Sequence, residues 1–448
     1  MNTMKASYAA SLCGGKLIGE DVAFSGVSRD NREVTGGEMF VAIRGESFDG
    51  HSFAAKAAEN GACLLLVSEK IDGVSASQIL VRDTVAALGE IAKGYLQTLP
   101  AKRVCITGSV GKTTTKEMCA TVLSESFATH KTQGNFNNNI GLPLTVFGMD
   151  ETHETAVLEI GTNHFGEILP LAKIANPDVA IITAIGESHL EAFGSKEGVL
   201  REKIEILKGL KENGTAILNG DDPLLWGMRD KIAHKTVWFG IENKECDVLV
   251  NVIENGAYEA RFEVAGSDVV FSLPCGGIHN IRDAASAIAV GREFGMTDEA
   301  IARGLSKFRN TGMRQDVIEI AGCTVIRDCY NANPDSMRAS ISLLRDLECK
   351  GKKLCIMSDM LELGENASEL HRQTGAFAAE CADVVMVTGN FAESYREGAG
   401  EKASVFSDKQ GLAKALSERV SAGDVILVKG SYGTKMWQVI EYLQEERE

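Results

Sequence analysis

The stretch VCITGSVGKTTTKEM, Val104 to Met118, leaves the chain few folds to choose from. An apolar run of strand character ends in a Gly-Ser-Val-Gly turn, and a lysine, three threonines and a helical segment follow at once. Glycine at 108 and 111 lets the backbone turn tightly and aim successive N–H groups at one anion. A helix that starts there adds the positive end of its dipole. Gly108, Ser109, Val110, Gly111, Lys112, Thr113 and Thr114 are therefore the expected phosphate cradle of an ATP or GTP site. Lys112 supplies a mobile cation for the β- and γ-oxygens, and Thr113 a hydroxyl for Mg²⁺. The spacing is G-x-x-G-K-T, shorter than G-x-x-x-x-G-K-[ST], whose first glycine would fall at Ile106.

The same alternation of buried strand and helix recurs along the chain. VCIT, AVLEIG, DVAIITAI, GTAILNG and TVWFG read as strands of a parallel sheet covered by helices on both faces. From about residue 316 a second rhythm begins with TVIRDCY, KLCIMSD, DVVMVTG, ASVFSD and DVILVKG. Before residue 98 a third runs through MFVAI, CLLLV and QILV with Ala-rich helical pieces between. A chain of 448 residues is too long for one core. The expected fold is α/β in three domains: 1–98, a central P-loop domain at 99–315, and a Rossmann-like domain at 316–448.

A net charge of −16 argues against a nucleic-acid or membrane-surface binder, because both surfaces would repel it. The eleven cysteines are scattered with no C-x-x-C pair, as in a reducing compartment. The N-terminus lacks the apolar stretch of a signal peptide, and no run approaches the ~20 apolar residues of a membrane span. The expectation is a soluble cytoplasmic protein, monomeric, acting on small molecules.

Two groups stand where an open parallel sheet gathers its ligand contacts, beyond the carboxyl ends of strands. Glu159 closes AVLEI, and His189 follows VAIITAIGES. A carboxylate and an imidazole beside a triphosphate are candidate Mg²⁺ ligands. Lys203 lies within the apolar stripe of EGVLREKIEILKGL, read as one helix, and an inward lysine must snorkel, pair or lose its charge. On residues alone an NTPase switch and an ATP-using enzyme both fit.

TQGNFNNNIGLPLT, LEIGTNHFGEI and DCYNANPDSM narrow that choice. With the shortened T-G-x-x-G-K-T-T-T they resemble the Mur ligase family, the ATP-dependent amide ligases of peptidoglycan assembly. Within it they are most similar to the branch that adds D-alanyl-D-alanine to UDP-N-acetylmuramoyl-tripeptide, ahead of relatives that add a single amino acid. The resemblance implies catalysis by Lys112, Glu159, His189 and Lys203, with ATP and two Mg²⁺ ions held by Thr113, Glu159, His189 and a CO₂-modified (carbamylated) Lys203. It implies nucleotide contacts from Asn280, Arg314 and Asp328, and substrate contacts from Asn135, Asn138, Asn331 and Asn333. In the first domain it implies UDP-sugar binding by Asp30, Asn31 and Arg32 and by the loop Gly45 to His51. The sequence departs from the family pattern at Asn31, at Asp283 in place of a second asparagine, at Met313, at Ser358 and at Tyr432 in place of an arginine.

Overall fold

Runs of four to six apolar residues bury on both faces only when helices cover both sides, and the chain meets that demand three times over. The computed structural model describes residues 1–45 and 48–446. Glu46 and Ser47 of the loop Gly45 to His51 lie outside the described residues. The first sheet runs, in spatial order, Lys16–Ile18, Ser77–Leu80, Leu64–Val67, Glu38–Val41 and Gly26–Ser28. All neighbours in it are parallel except the first pair.

The central sheet places Lys102–Thr107 between Thr155–Glu159 on one side and Val179–Ile182 on the other. Thr129–Lys131 flanks Thr155–Glu159, and Thr215–Asn219, Lys235–Gly240 and Val248–Asn255 extend the other side, all parallel. The chain leaves Lys102–Thr107 toward one edge and returns on its far side. Its carboxyl end is therefore a switch point, where the crevice of such a sheet opens.

The parallel reading of this sheet needs one correction. Val248–Asn255, Ala260–Val264 and Val270–Leu273 form an antiparallel extension. The last two alternate buried and more exposed residues, so one face meets water and short hairpins suffice where a crossover helix would otherwise be needed.

The third sheet runs Asp316–Ile320, Cys323–Asp328, Val425–Lys429, Lys353–Met357, Val384–Thr388 and Ala403–Phe406, with only the first pair antiparallel. Each expected strand of this zone is present, and Asp316–Ile320 is an added edge.

The cores divide the molecule unequally. One face of the central sheet is covered by helices Lys112–Leu123 and Ile278–Glu293, through Met118, Val122, Ile281 and Ala285. Its other face shares a continuous core with the first region: helix Thr84–Gln97 packs Leu88, Ile91 and Tyr95 against Phe147, Ile168 and Leu171. The Tyr95 and Phe147 rings lie 5.7 Å apart, and the Tyr95 hydroxyl donates to the Met149 carbonyl at 2.7 Å. The third sheet keeps its own cores on both faces. No helix among the described residues is long and apolar enough to cross a membrane.

Candidate active site

At the switch point the phosphate loop is pinned from below. Ser109 N–H donates to the Ala184 carbonyl at 2.9 Å, Gly186 N–H to Ser109 Oγ at 2.8 Å, and the Thr183 hydroxyl to the Val110 carbonyl at 2.5 Å. Asn219 Nδ2 and the Asp222 carboxylate hold the supporting segment in turn, at Thr183 and Ile185. The packing leaves no room for a side chain at Gly108, where a Cβ would stand 1.9 Å from Thr183 Oγ1. Gly108→Ala is accordingly expected to displace the loop and weaken ATP binding about 10²-fold, measured by calorimetric titration.

Helix Lys112–Leu123 starts at Gly111, in the left-handed region at φ +83°. Its first side chain, Lys112, donates to the Gly108 carbonyl at 2.7 Å. Burial lowers the Lys112 ammonium from its ordinary value, Glu159 opposes the shift and Arg314 adds to it. Glu159 is 2 % exposed and densely held: Thr113 Oγ1 donates to it at 2.9 Å, Asn137 Nδ2 at 2.8 Å, and Lys116 lies 3.9 Å away.

A polar cavity of about 520 Å³ opens over this loop. Ser109, Val110, Gly111, Lys112, Thr113, Thr114, Asn135, Asn138, Glu159, His189 and Asn280 line it from the central region. Arg314, Asp328 and Asn331 line it from the start of the third. Lys203 sits behind the wall at 1 % exposure, close enough to Lys112 and His189 for charge to be felt. It ends helix Lys196–Lys203, after which the chain tightens into a 3₁₀ segment, Ile204–Gly209, so the expected single helix is in two pieces. Its ammonium has no hydrogen-bond or ion-pair partner among the described residues. Burial depresses it strongly, with Lys112 adding to the shift.

Three expected residues stand elsewhere. Asp30 and Arg32 clasp each other in a two-pronged pair, Nε to Oδ1 at 2.9 Å and Nη2 to Oδ2 at 2.5 Å, with the arginine largely exposed. Asn31 offers its carbonyl to Asn60 at 2.7 Å. None of the three lines the cavity. Asn333 spends its carbonyl oxygen on Ser336 N–H as the cap of helix Pro334–Asp346, and its buried Nδ2 is left without a partner. It too is outside the cavity lining. Asn138 lines the cavity and also accepts from Gly141 N–H at 2.8 Å, where helix Gly141–Phe147 begins.

Other residues enter without having been singled out as site residues. Asn137 orients Glu159, and Lys116 supports it. Lys429 donates to Asp328 at 2.6 Å and to the Asn331 carbonyl at 3.0 Å, tying two strand ends together. Burial pushes the Asp328 carboxyl up, but Lys429, Ser340 and Arg314 outweigh it and hold it below its ordinary range. Gln315 accepts from Asn280 at 2.8 Å across the junction. Arg314 lies 4.0 Å above the Tyr330 ring in a turn where Gly312, Met313 and Gln315 are all left-handed. The Tyr432 ring lies tilted against those of Tyr330 and Trp437, at 5.7 and 4.9 Å.

Asp283 lies beneath the cradle, where a Cβ on Gly111 would come within 2.6 Å of its Oδ1. Burial pushes its carboxyl up to about 8, only partly opposed by Arg282 and Thr115. A neutral acid there adds no negative charge against a polyphosphate. The folded chain thus keeps a proton that the unfolded chain releases between about pH 4 and 8. This contribution is intact below about pH 4 and is lost as pH rises through 8. Asp283→Asn is expected to match the parent near pH 4 and exceed its stability at pH 8 by on the order of 2–4 kcal/mol, read from melts across pH.

Among the described residues, one trio of acidic or imidazole groups lies within common metal reach: Asp49, His51 and Glu69. Arg44 already bridges its two carboxylates, at 3.0 and 3.2 Å. The set around the cradle is instead incomplete by itself, which suits a site where a nucleotide brings oxygens of its own.

Fold and cavity together define a nucleotide-binding α/β protein with three large sheets, with a phosphate loop at the central switch point and the third of them facing it. Three family models match in order: Mur ligase family, catalytic domain, at 23–96; Mur ligase middle domain at 106–291; and Mur ligase, glutamate ligase domain, at 313–432. The chain belongs to the Mur ligase family. It is 41 % identical over 435 residues to UDP-N-acetylmuramoyl-tripeptide–D-alanyl-D-alanine ligase of Bacillus subtilis, covering 95 % of this chain and 94 % of that one. The protein of the same name in Escherichia coli is 37 % identical over 99 % of both. Among solved structures, MurF from Acinetobacter baumannii superposes with a TM-score of 0.93 at 32 % identity and 99 % coverage of both chains. MurF ligase from Thermotoga maritima in complex with ADP reaches 0.84 at 32 % identity, covering 94 % of this chain and 97 % of that one.

Proposed function

We propose that the chain is an ATP-dependent amide ligase joining D-alanyl-D-alanine to UDP-N-acetylmuramoyl-tripeptide in peptidoglycan precursor synthesis. It works as a cytoplasmic monomer divided at 1–98, 99–315 and 316–448. The full-length likeness to ligases of that name supports the reading. The observation that carries it is that the cradle and Glu159 of one sheet face Asp328 and Asn331 of another across one shared cavity.

The γ-phosphoryl group of ATP passes to the terminal carboxylate of the tripeptide, giving an acyl phosphate and ADP. The amine of D-alanyl-D-alanine attacks the acyl carbon, gives up a proton, and inorganic phosphate leaves as the amide forms. Such a transfer depends on positioning and charge more than on covalent help. The cradle N–H groups and Lys112 bind the transferring phosphate and neutralise charge as it develops. Asn280 has both amide hydrogens committed, to the Gly276 carbonyl at 2.6 Å and to Gln315, so its carbonyl oxygen is what it offers to the adenine amino group. Asp328 contacts the nucleotide, and Asn331 the incoming dipeptide with Asn333 behind it. Asn135 and Asn138 border the peptide acid. Asp30, Asn31 and Arg32 bind the UDP moiety.

Thr113, Glu159, His189 and Lys203 would hold two Mg²⁺ ions, which when bound supply positive charge to the phosphoryl oxygens. The donor set fits once Lys203 is a carbamate. A buried, partnerless amine whose charged form burial disfavours is suited to take up CO₂, and the product replaces a costly cation with an oxygen ligand.

The deciding experiment labels the tripeptide carboxylate with ¹⁸O. One labelled oxygen is expected in the released phosphate, in amounts that follow product formation. Phosphate release without label, or indifferent to the amine, overturns the reading.

A further inference from the structure

The third sheet touches one residue of the cavity lining, His189, through the loop after strand Lys353–Met357. That loop is clamped residue by residue. The Asp359 carboxylate accepts from the N–H groups of Asn390 and Phe391 at 2.8 and 3.0 Å. Met360 N–H donates to Nε2 of buried His371 at 2.9 Å, and Leu361 N–H to Ser431 Oγ at 3.0 Å. Glu362 then projects from a left-handed backbone, φ +63°, which a non-glycine residue keeps only when its surroundings impose it. Its carboxylate meets His189 Nδ1 at 2.5 Å, and His189 is left-handed as well, φ +53°. Two further contacts flank this pair. Gly364 passes so near that a Cβ there would lie 3.3 Å from the Glu191 backbone, and Asp335 Oδ2 accepts from Glu187 N–H at 2.6 Å.

We infer that Glu362 is a positioning residue for His189: it accepts the hydrogen bond from Nδ1–H, fixes the imidazole tautomer and leaves Nε2 unprotonated toward the cavity. The inference rests on the reading of His189 as a Mg²⁺ ligand. Imidazoles that bind metals ordinarily donate their other N–H to a carboxylate or carbonyl, which sets both ring orientation and basicity. Here the carboxylate comes from a different sheet. The ligand is therefore completed only while the third sheet is seated on the central one. The junction suits that coupling, because the third sheet has cores of its own whereas the first and central regions share one. Glu362 is largely exposed and makes no other hydrogen bond among the described residues, so the fold does not otherwise require it.

The test compares the parent with Glu362→Gln and His189→Ala, each with a non-hydrolysable ATP analogue. Mn²⁺ binding is followed by electron paramagnetic resonance, and ring tautomers by NMR of ¹⁵N-histidine protein. Glu362→Gln is expected to melt with the parent, to weaken Mn²⁺ about 10-fold or more, and to turn a single His189 tautomer into a mixture. If Glu362→Gln keeps either the parent's Mn²⁺ affinity or its tautomer while His189→Ala loses Mn²⁺, positioning by Glu362 is overturned and the ligand reading stands. If His189→Ala binds Mn²⁺ as the parent does, the ligand reading itself fails and this inference falls with it.

Discussion

Lys112→Met is expected to lower ligase turnover about 10³-fold, equivalent to roughly 4 kcal/mol of barrier, without unfolding the protein. The side chain starts helix Lys112–Leu123 and lies folded over the loop on the Gly108 carbonyl, at 2.7 Å. Methionine keeps its length and its helix propensity but supplies no donor. What disappears is a cation in a confined site, beside phosphoryl oxygens whose charge grows toward the transition state. Burial already lowers this ammonium, so its interaction with a polyphosphate is poorly screened. Glu159 keeps Thr113, Asn137 and Lys116, and so is not left as an unpaired buried charge. The measurement is phosphate release with tripeptide and dipeptide both saturating, alongside a melt. Activity within tenfold of the parent would show that the cradle N–H groups alone neutralise the transfer.

Lys203 carries the second large effect. Lys203→Ala is expected to cost about 10³-fold or more in turnover, with part of it restored by short carboxylic acids that occupy the vacated space. Failure of every added acid would remove the main support for a carbamate. A companion variant separates catalysis from stability. Lys203→Met preserves volume and removes a partnerless buried amine, so its melting temperature is expected to equal or exceed the parent's by a few degrees. The direction with pH follows from the depressed amine. In the unmodified protein the unfolded chain binds the extra proton between the lowered folded value and the ordinary one near 10.5. Parent stability therefore climbs with pH over that interval, and the climb is expected to vanish in Lys203→Met.

Much of the site could be read from residue order because it depends on local geometry. Gly108 and Gly111 stand where a strand must turn into a helix around an anion, and that requirement is met within a few residues. Glu159 was legible because strand ends in a parallel sheet converge. Asn137 was not separable from Asn135, Asn138 and Asn139, since which amide faces a carboxylate depends on a loop conformation without periodicity. Asn333 was legible as a polar residue in a turn, but only the packed helix start shows its oxygen committed to a cap. The antiparallel extension after Val248 escaped because short alternating strands carry a weaker pattern than buried apolar runs.

Residue order by itself determined the parallel strands of the three large sheets, the phosphate loop and the identities of most groups around it, because strands, turns and helix starts are set by nearest neighbours and by burial. Contacts between residues far apart in the chain were decided only by tertiary packing. Glu362 meets His189, Asp335 meets the backbone at Glu187, and Lys429 joins Asp328 across paired strands. The shared core of the first and central regions is a decision of the same kind. Such pairings follow from how whole surfaces fit together, and no short stretch of sequence holds both partners.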